Sequence, residues 1–243
     1  MQSIGRDITQ TIKPKAIVVI SAHWQGERDL IEVNTAESLP LIYDFYGFPP
    51  HFYEVQFPNR GSPELADRII GMLSQAGIEA EGRRRGLDHG VWASFMCAFN
   101  PKENPLDVPI VQLSLFDSDS AAQHHRLGQA LAPLRSEGVL IITSGMAVHN
   151  LRDFRFTGRG LEGGMPYAHT FDAALQEAVE QPVEQRELAM SKLLVRDDAR
   201  KAHPSFEHLL PVFVGAGAAG LDKGEQIWTK VEGSVSWGMY RFG

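Results

Sequence analysis

The chain has 243 residues, of which 43% are hydrophobic, and its formal net charge is −7. This length and composition are typical of a folded domain and exclude a largely disordered chain. The acidic balance argues against nonspecific binding to nucleic acid or to an anionic membrane. The single cysteine excludes an intrachain disulfide, and the sequence contains neither a membrane-span pattern nor a secretory-signal pattern. We therefore expect a cytoplasmic protein without nucleic-acid or membrane partners, and the sequence leaves its oligomeric state open.

Apolar runs alternate with amphipathic segments along the chain, which is typical of α/β folds. The pattern first predicts strands over 16–21 and 30–33, a helix that starts at Ser62-Pro63, and a second helix over 91–99. It then predicts a strand over 108–113, a helix over 120–136, a strand over 139–143, and helices over 171–179 and within 182–199. A third apolar strand near 209–214 and a final strand over 235–240 complete the predicted elements. We expect one α/β domain over residues 1–243, with a mostly parallel central sheet and helices on both faces.

A segment over residues 39–61, called the aromatic loop below, is rich in aromatic residues, proline and glycine. It is too apolar to remain solvated, and long loops of this kind often line sites. It carries His51, which we expect either to approach a substrate or to lie on the surface.

Histidines stand at the ends of the apolar runs. His23 follows the first predicted strand, His149 follows the strand over 139–143, and His203 and His208 precede the apolar run near 209–214. Ligands bind at strand ends in open α/β sheets, so imidazoles delivered there by separate strands suggest a metal site or an acid–base site.

Each of these motifs also has a purely structural interpretation. His23 beside Trp24 would by itself more often be structural, but its place at a strand end favours function. Asn150 could orient the imidazole of His149 or could simply cap a helix. His89 is either a carboxylate-oriented imidazole or a turn residue.

We choose His208 as a metal ligand, with its neighbour Glu207 as a weaker candidate. His203, which precedes a proline, is balanced between a functional residue and a turn residue. Residues 215–220 match the spacing of a dinucleotide fingerprint, but the sequence that follows does not predict a helix, so nucleotide binding is rejected.

Taken in order, the motifs resemble those of the class III extradiol ring-cleavage dioxygenases, the LigB-like enzymes, and among them the DOPA extradiol branch. The similarity runs from about residue 14 to the C-terminus, and each motif is short but the series is specific. The matching segments are Pro14-Lys-Ala-Ile-Val-Val-Ile-Ser-Ala-His-Trp24, Ile42-Tyr-Asp-Phe-Tyr-Gly-Phe-Pro49, Gly86-Leu-Asp-His-Gly90, Val111-Gln-Leu-Ser114, Val148-His-Asn-Leu151 and Glu207-His-Leu-Leu-Pro211.

This resemblance implies Fe(II)-dependent extradiol cleavage of a DOPA-like catechol with O₂, and it implies that Zn(II) can occupy the same site. His23 and His208 would be metal ligands, and His149 and His89 would be catalytic. Substrate contacts are expected from three residues: His51, Tyr43 and Asn150.

One family motif has no counterpart. Members of the family carry a further ligand histidine in a His-Gly-Ser-Pro-like motif near the N-terminus, whereas no histidine precedes His23 here. We therefore expect the family's N-terminal strand to be missing. Two alternatives stay open: a relative with metal-independent histidine acid–base chemistry, and a catalytically silent relative that binds a small aromatic molecule.

Overall fold

The computed structural model describes residues 1–27, 29–154 and 163–243. They group into two compact units. The first unit comprises Met1–Asp117 and Pro133–Ser144, and the second comprises Ser118–Ala132 and Gly145–Gly243. No helix among the described residues is both long and apolar enough to cross a membrane. The assignment of residues 1–243 to a single domain stays a prediction.

A five-stranded sheet forms the centre of the first unit, in the order β3-β2-β4-β1-β5. β1 runs parallel to β4 and β5, β2 runs parallel to β3, and only the β2–β4 pair is antiparallel. This confirms the predicted α/β class with a mostly parallel sheet flanked by helices. The strands are β1 Ala16–Gln25, β2 Ile31–Asn34, β3 Ala80–Arg83, β4 Ile110–Leu115 and β5 Val139–Ser144.

Helices of the first unit pack against this sheet. Ser62 accepts a hydrogen bond from the backbone of Leu65 at 3.2 Å and so caps the second helix at the predicted place. The helices are α1 Gln2–Asp7, which continues as a π-helix over Ile8–Ile12, then a 3₁₀ turn over Pro50–Glu54, α2 Pro63–Gln75, α3 His89–Ala98 and the short α5 Pro133–Ser136.

Strand β1 runs from the hydrophobic core to the histidine at its carboxyl end. Ile17 and Val19 are fully buried in a cluster with the apolar face of α3. Because side chains alternate along a strand, Ser21 and His23 continue the same face toward the carboxyl end. The expectation that His23 lies just past the strand is wrong, since β1 extends to Gln25 and His23 stands within it.

The second unit is built from helices with small antiparallel sheets. β6 pairs with β9, β9 pairs with β8, and β7 pairs with β10. Its elements are α4 Ala121–Leu131, β6 Val148–His149, α6 Leu151–Phe154, α7 Pro166–Val179, α8 Val183–Leu193, α9 Ala199–Ala202, α10 Leu210–Ala218, β7 Gly224–Trp228, β8 Val231–Glu232, β9 Val235–Ser236 and β10 Met239–Phe242.

Three sequence predictions fail in this region. The final strand predicted over 235–240 is two strands, β9 and β10, which belong to different sheets. The helix predicted over 120–136 is interrupted at Ala132, because Pro133 has no N–H with which to continue it. The strand predicted near 209–214 is instead the start of helix α10, since a short apolar run suits a buried helix as well as a buried strand.

Two glycines, Gly217 in α10 and Gly128 in α4, serve the packing of these two helices. A Cβ atom on Gly217 would lie 2.0 Å from the carbonyl oxygen of His125, and one on Gly128 would lie 2.0 Å from that of Val214. Only glycine permits these two helix backbones to approach so closely. Gly217, the middle glycine of the rejected nucleotide fingerprint, is therefore a helix-packing residue.

Candidate functional site

The first unit brings His23, Asp44 and His89 together. Nδ1 of His23 lies 3.1 Å from Oδ2 of Asp44, and Nδ1 of His89 lies 2.8 Å from Oδ1 of the same carboxylate. The three residues come from β1, from the aromatic loop and from the first position of α3. One carboxylate thus engages two imidazoles, and we call this group the first triad.

Asp44 is the residue that sequence reasoning missed. Its Oδ1 also accepts the backbone N–H of His89 at 3.0 Å, so it fixes the start of α3 as well as both rings. Burial by itself would raise the pKa of Asp44, but the hydrogen bonds from His23 and His89 outweigh it and hold that pKa well below its usual range. The carboxylate is therefore ionised throughout the neutral range.

Close packing requires glycine at the third position of the segment Asp88-His89-Gly90. A Cβ atom on Gly90 would lie 2.7 Å from Oγ of Ser21 and 2.9 Å from Cδ2 of His23. A larger residue would push against the imidazole of His23, so glycine allows the first turn of α3 to approach the end of β1.

A buried polar network centred on Asp88 stands behind the first triad. Asp88 is fully buried and accepts hydrogen bonds from Ser21 at 2.7 Å, Arg85 at 3.0 Å and Gln112 at 2.5 Å. Arg85 also donates to the backbone carbonyl of His23 at 3.3 Å. These contacts join β1, β4 and the entry to α3, so they fix the backbone on which His23 and His89 stand.

The aromatic loop lies against the first triad. The ring of Phe45 meets that of His89 edge-on at 5.4 Å. Tyr43 packs against Trp92, with ring centroids 5.4 Å apart, and donates its hydroxyl to the carbonyl of Val55 at 2.6 Å, within the loop itself. His51 is exposed, in the 3₁₀ turn. The substrate-binding roles of Tyr43 and His51 stay predictions.

The second unit brings together His149, Glu207 and His208, called the second triad below. The rings of His149 and His208 are stacked, with centroids 3.6 Å apart and planes 14° from parallel. Nδ1 of His208 lies 3.0 Å from Oε1 of Glu207. Burial would raise the pKa of Glu207, but its hydrogen bonds with His208 and Ser205 lower that pKa to about 2.

Backbone pairing sets the position of His149, because β6 pairs with β9 and His149 stands opposite Val235. The neighbouring Asn150 accepts the backbone N–H groups of Arg152 and Asp153 at 3.0 and 3.2 Å. It also donates to the carbonyl of Lys201 at 2.7 Å. Its side chain is thus occupied at the start of α6, and its role toward a substrate stays a prediction.

His203 is a buried histidine separate from both triads. It is completely inaccessible, and its Nε2 lies 2.9 Å from the carbonyl oxygen of Ala147, to which it donates. Burial lowers its pKa to about 4, so the ring is neutral at physiological pH. Its contacts favour the structural interpretation.

The two predicted metal ligands belong to different triads, His23 to the first and His208 to the second. Each triad offers two imidazoles and one carboxylate, with one ligand atom per residue lying within 4.8 Å of the others. Two histidines and one carboxylate are the donor set of non-haem Fe(II) oxygenases, so the described residues fit such an ion. The sequence-predicted catalytic residues His89 and His149 likewise fall in the two triads.

Comparison with known proteins gives consistent results. The family described as "Catalytic LigB subunit of aromatic ring-opening dioxygenase" matches residues 1–238. A 4,5-DOPA dioxygenase extradiol of Beta vulgaris is 40% identical over 235 residues, which are 95% of this chain and 83% of that protein. One from Escherichia coli K12 is 35% identical over 223 residues, 91% and 78% of the two chains. The crystal structure of an uncharacterized Escherichia coli K12 protein matches with a TM-score of 0.79 at 31% identity, covering 100% of this chain and 90% of that one.

Proposed function

This chain belongs to the family of catalytic LigB subunits of aromatic ring-opening dioxygenases, and on that premise we propose that it cleaves a DOPA-like catechol at an extradiol bond, using O₂ and Fe(II). Two observations support the proposal. Relatives at 40% and 35% identity are named 4,5-DOPA dioxygenase extradiol. The described residues also hold Nδ1 of each proposed ligand histidine, His23 and His208, against a carboxylate oxygen, as carboxylates that orient ligand histidines do in metal sites. The second observation carries the proposal, because it lies in this chain's own residues.

His23 and His208 are the proposed metal ligands from the sequence motifs. Both rings have Nδ1 against a carboxylate oxygen, that of Asp44 for His23 and that of Glu207 for His208. A proton shared at Nδ1 places the lone pair of the imidazole on Nε2 and fixes the orientation of the ring. When bound, Fe(II) would supply a Lewis acid with open positions for the catechol oxygens and for O₂.

His149 is the proposed acid–base residue. Its ring is stacked face to face on that of His208, with centroids 3.6 Å apart. It is half-buried, which leaves it accessible to a bound molecule. In this proposal the imidazole of His149 accepts a proton from a catechol hydroxyl and returns it after ring opening.

The aromatic loop is the proposed support for the catechol ring. Tyr46 and Phe48 expose 90% and 54% of their surface, and aromatic faces of this kind stack on planar rings. Tyr43 would contribute its ring, because its hydroxyl is bound to Val55. His51 and Asn150 complete the proposed set of substrate contacts.

The proposal is tested by O₂ uptake with a catechol after anaerobic loading with Fe(II). We expect uptake that stops on chelation, returns on reloading, and yields a product whose mass equals that of substrate plus O₂. His149→Asn should lower turnover by about 10²- to 10⁴-fold while leaving the iron content unchanged. His169→Asn, at an exposed position on α7, is the matched control and should keep full turnover.

Two results would overturn the proposal. Turnover that is insensitive to chelation would indicate metal-independent histidine chemistry. Iron binding without any O₂ uptake across a panel of catechols would indicate a catalytically silent relative.

A further inference from the structure

We propose that one face of the small β6–β9–β8 sheet binds the amino-acid side chain of a DOPA-like substrate. Glu232 binds the α-ammonium group, Lys230 binds the α-carboxylate, and Trp237 provides an apolar wall beside them. The inference rests on the proposed function and deepens it, because it names residues that select a zwitterionic catechol over an uncharged one. All three residues lie outside the motifs that the sequence analysis singled out.

The register of this sheet brings Glu232 to the face that carries His149. Both residues are paired with Val235, one from each side. Residues directly opposite one another in an antiparallel ladder point to the same face, so the three side chains form one row across the sheet. Neighbouring strands lie about 5 Å apart, which places the backbone of Glu232 about 10 Å from that of His149.

Trp237 and Lys230 continue this face one step along the strands. The backbone N–H of Trp237 donates to the carbonyl of Lys230 at 3.0 Å, so the two residues are opposite each other. Each is two residues away from a member of the row, and side chains two apart along a strand share a face. Trp237 is thus a diagonal neighbour of His149, at about 7–8 Å, a distance that an aromatic side chain spans.

Helix α7 covers the other face of the sheet. Val148, which is paired with Ser236, is fully buried there. The hydroxyl of Ser236 donates to the carboxylate of Asp172, a residue of α7, at 2.5 Å. A substrate can therefore approach this sheet only from the face that carries His149.

The proposed binding residues are accessible on that face. Trp237 exposes 47% of its surface, and the side chains of Lys230 and Glu232 expose 57% and 55%. The ring of His149 is half-buried, as expected for a group that meets one end of a bound molecule. The face thus presents a cation, an anion and an aromatic surface beside the proposed acid–base residue.

The charges of this face match an α-amino acid. Nζ of Lys230 lies 3.3 Å from Oε2 of Glu232. An exposed ion pair of this kind contributes little to stability, so it opens at small cost and each group can take a new partner of opposite charge. An α-amino acid carries an ammonium and a carboxylate on one carbon, which suits two opposite charges held side by side. The indole of Trp237 offers its face to the methylene group and to the ammonium.

The order of these groups agrees with a catechol held at His149. The hydroxyl that gives its proton to His149 lies on one side of the aromatic ring, and the amino-acid side chain of DOPA leaves from the opposite side. A substrate in this position extends along the sheet face, past Trp237 and toward Glu232.

Four catechols separate the two charges in the test. L-DOPA carries both charges, dopamine only the ammonium, 3,4-dihydroxyphenylpropionate only the carboxylate, and 4-ethylcatechol neither. Turnover is measured with the full chain loaded with Fe(II). Binding is measured without O₂, by equilibrium dialysis in the presence of Zn(II), so that affinity is known independently of ring cleavage.

Glu232→Gln and Lys230→Met should each lower the preference for L-DOPA. We expect the ratio of kcat/KM for L-DOPA to that for 4-ethylcatechol to fall by about 5- to 10-fold in either variant, with a matching loss of L-DOPA affinity. Relative to 4-ethylcatechol, dopamine should respond to Glu232→Gln and not to Lys230→Met, and 3,4-dihydroxyphenylpropionate should respond in the opposite way. Trp237→Leu should weaken L-DOPA binding by about 5-fold, and Trp237→Phe should restore most of it.

Glu225→Gln, at an exposed carboxylate on β7 in a different sheet, is the matched control and should keep the ratio of the unchanged chain. Melting curves check that every variant folds. An unchanged ratio in folded Glu232→Gln and Lys230→Met would show that the two residues form only a surface ion pair, and it would overturn the inference while turnover still supports the proposed function. Charge-selective binding without cleavage of any catechol would instead refute the proposed function and leave this site standing.

Discussion

His203 makes the stability of this protein depend on pH in a calculable way. It is fully buried, and desolvation is the main cause that lowers its pKa from 6.5 to about 4. The hydrogen bond to Ala147 and the charge of Glu207 oppose this shift, whereas the charge of His208 adds to it. In the unfolded chain the ring binds a proton near pH 6.5, and in the folded chain it resists doing so.

The sign of the effect follows from this order. Because the folded pKa lies below the unfolded one, the contribution of His203 is fully present above about pH 6.5 and is lost as the pH falls toward about 4. Proton linkage with these two values gives a loss of about 2 kcal/mol between about pH 7.5 and about pH 5, and about 3 kcal/mol at lower pH.

Urea denaturation at the two pH values measures this loss. The chain should lose about 2 kcal/mol more free energy of unfolding than His203→Gln on the same pH change, because glutamine does not titrate. A chelator is present throughout, so that metal binding does not contribute. Equal losses in the two proteins would show that His203 is not protonated on unfolding in this range, and the reasoning would be refuted.

Two further predictions concern the residues that support the first triad. Gly90→Ala should weaken metal binding by about 10-fold, because the new Cβ would lie 2.9 Å from the His23 ring. Helix α3 should keep its stability, since alanine favours helix. Equilibrium dialysis with Zn(II) measures the affinity and a melting curve measures the stability; unchanged affinity would contradict the close approach of Gly90 to His23. Asp88→Asn should lower the free energy of unfolding by about 2–4 kcal/mol, because an amide N–H₂ would then face the donors of Arg85 or Gln112. Chemical denaturation measures this free energy, and a loss below about 1 kcal/mol would contradict the burial of this network.

Much of the fold could be predicted because it depends on local pattern. β1 is a continuous β-branched run, and α2 begins at the serine and proline that the sequence marks as a helix start. Helix α10 could not be distinguished from a strand, because its apolar run has no period that separates the two. Its identity is decided by packing on α4, where glycines let two backbones meet.

The candidate site likewise contains residues that the sequence predicted and one that it did not. His23 and His149 could be predicted as chemically important because a strand leads to each, which places them where ligands bind. Asp44 could not, because it lies in a loop without periodicity and its partner His89 is 45 residues away. Only the folded chain brings them together, and the sequence signal for Asp44 is its place in the family-matching segment over residues 42–49.

Asp44 stands in the aromatic loop, yet its carboxylate is held by two imidazoles outside that loop. The conformation of the loop is therefore coupled to the contact between Asp44 and the two imidazoles, and each stabilises the other by the same free energy. Whatever draws the carboxylate toward the imidazoles also favours the loop conformation that presents Tyr46 and Phe48. By the same reciprocity, a molecule that stacks on those rings in this conformation must strengthen the contact of Asp44 with His23 and His89.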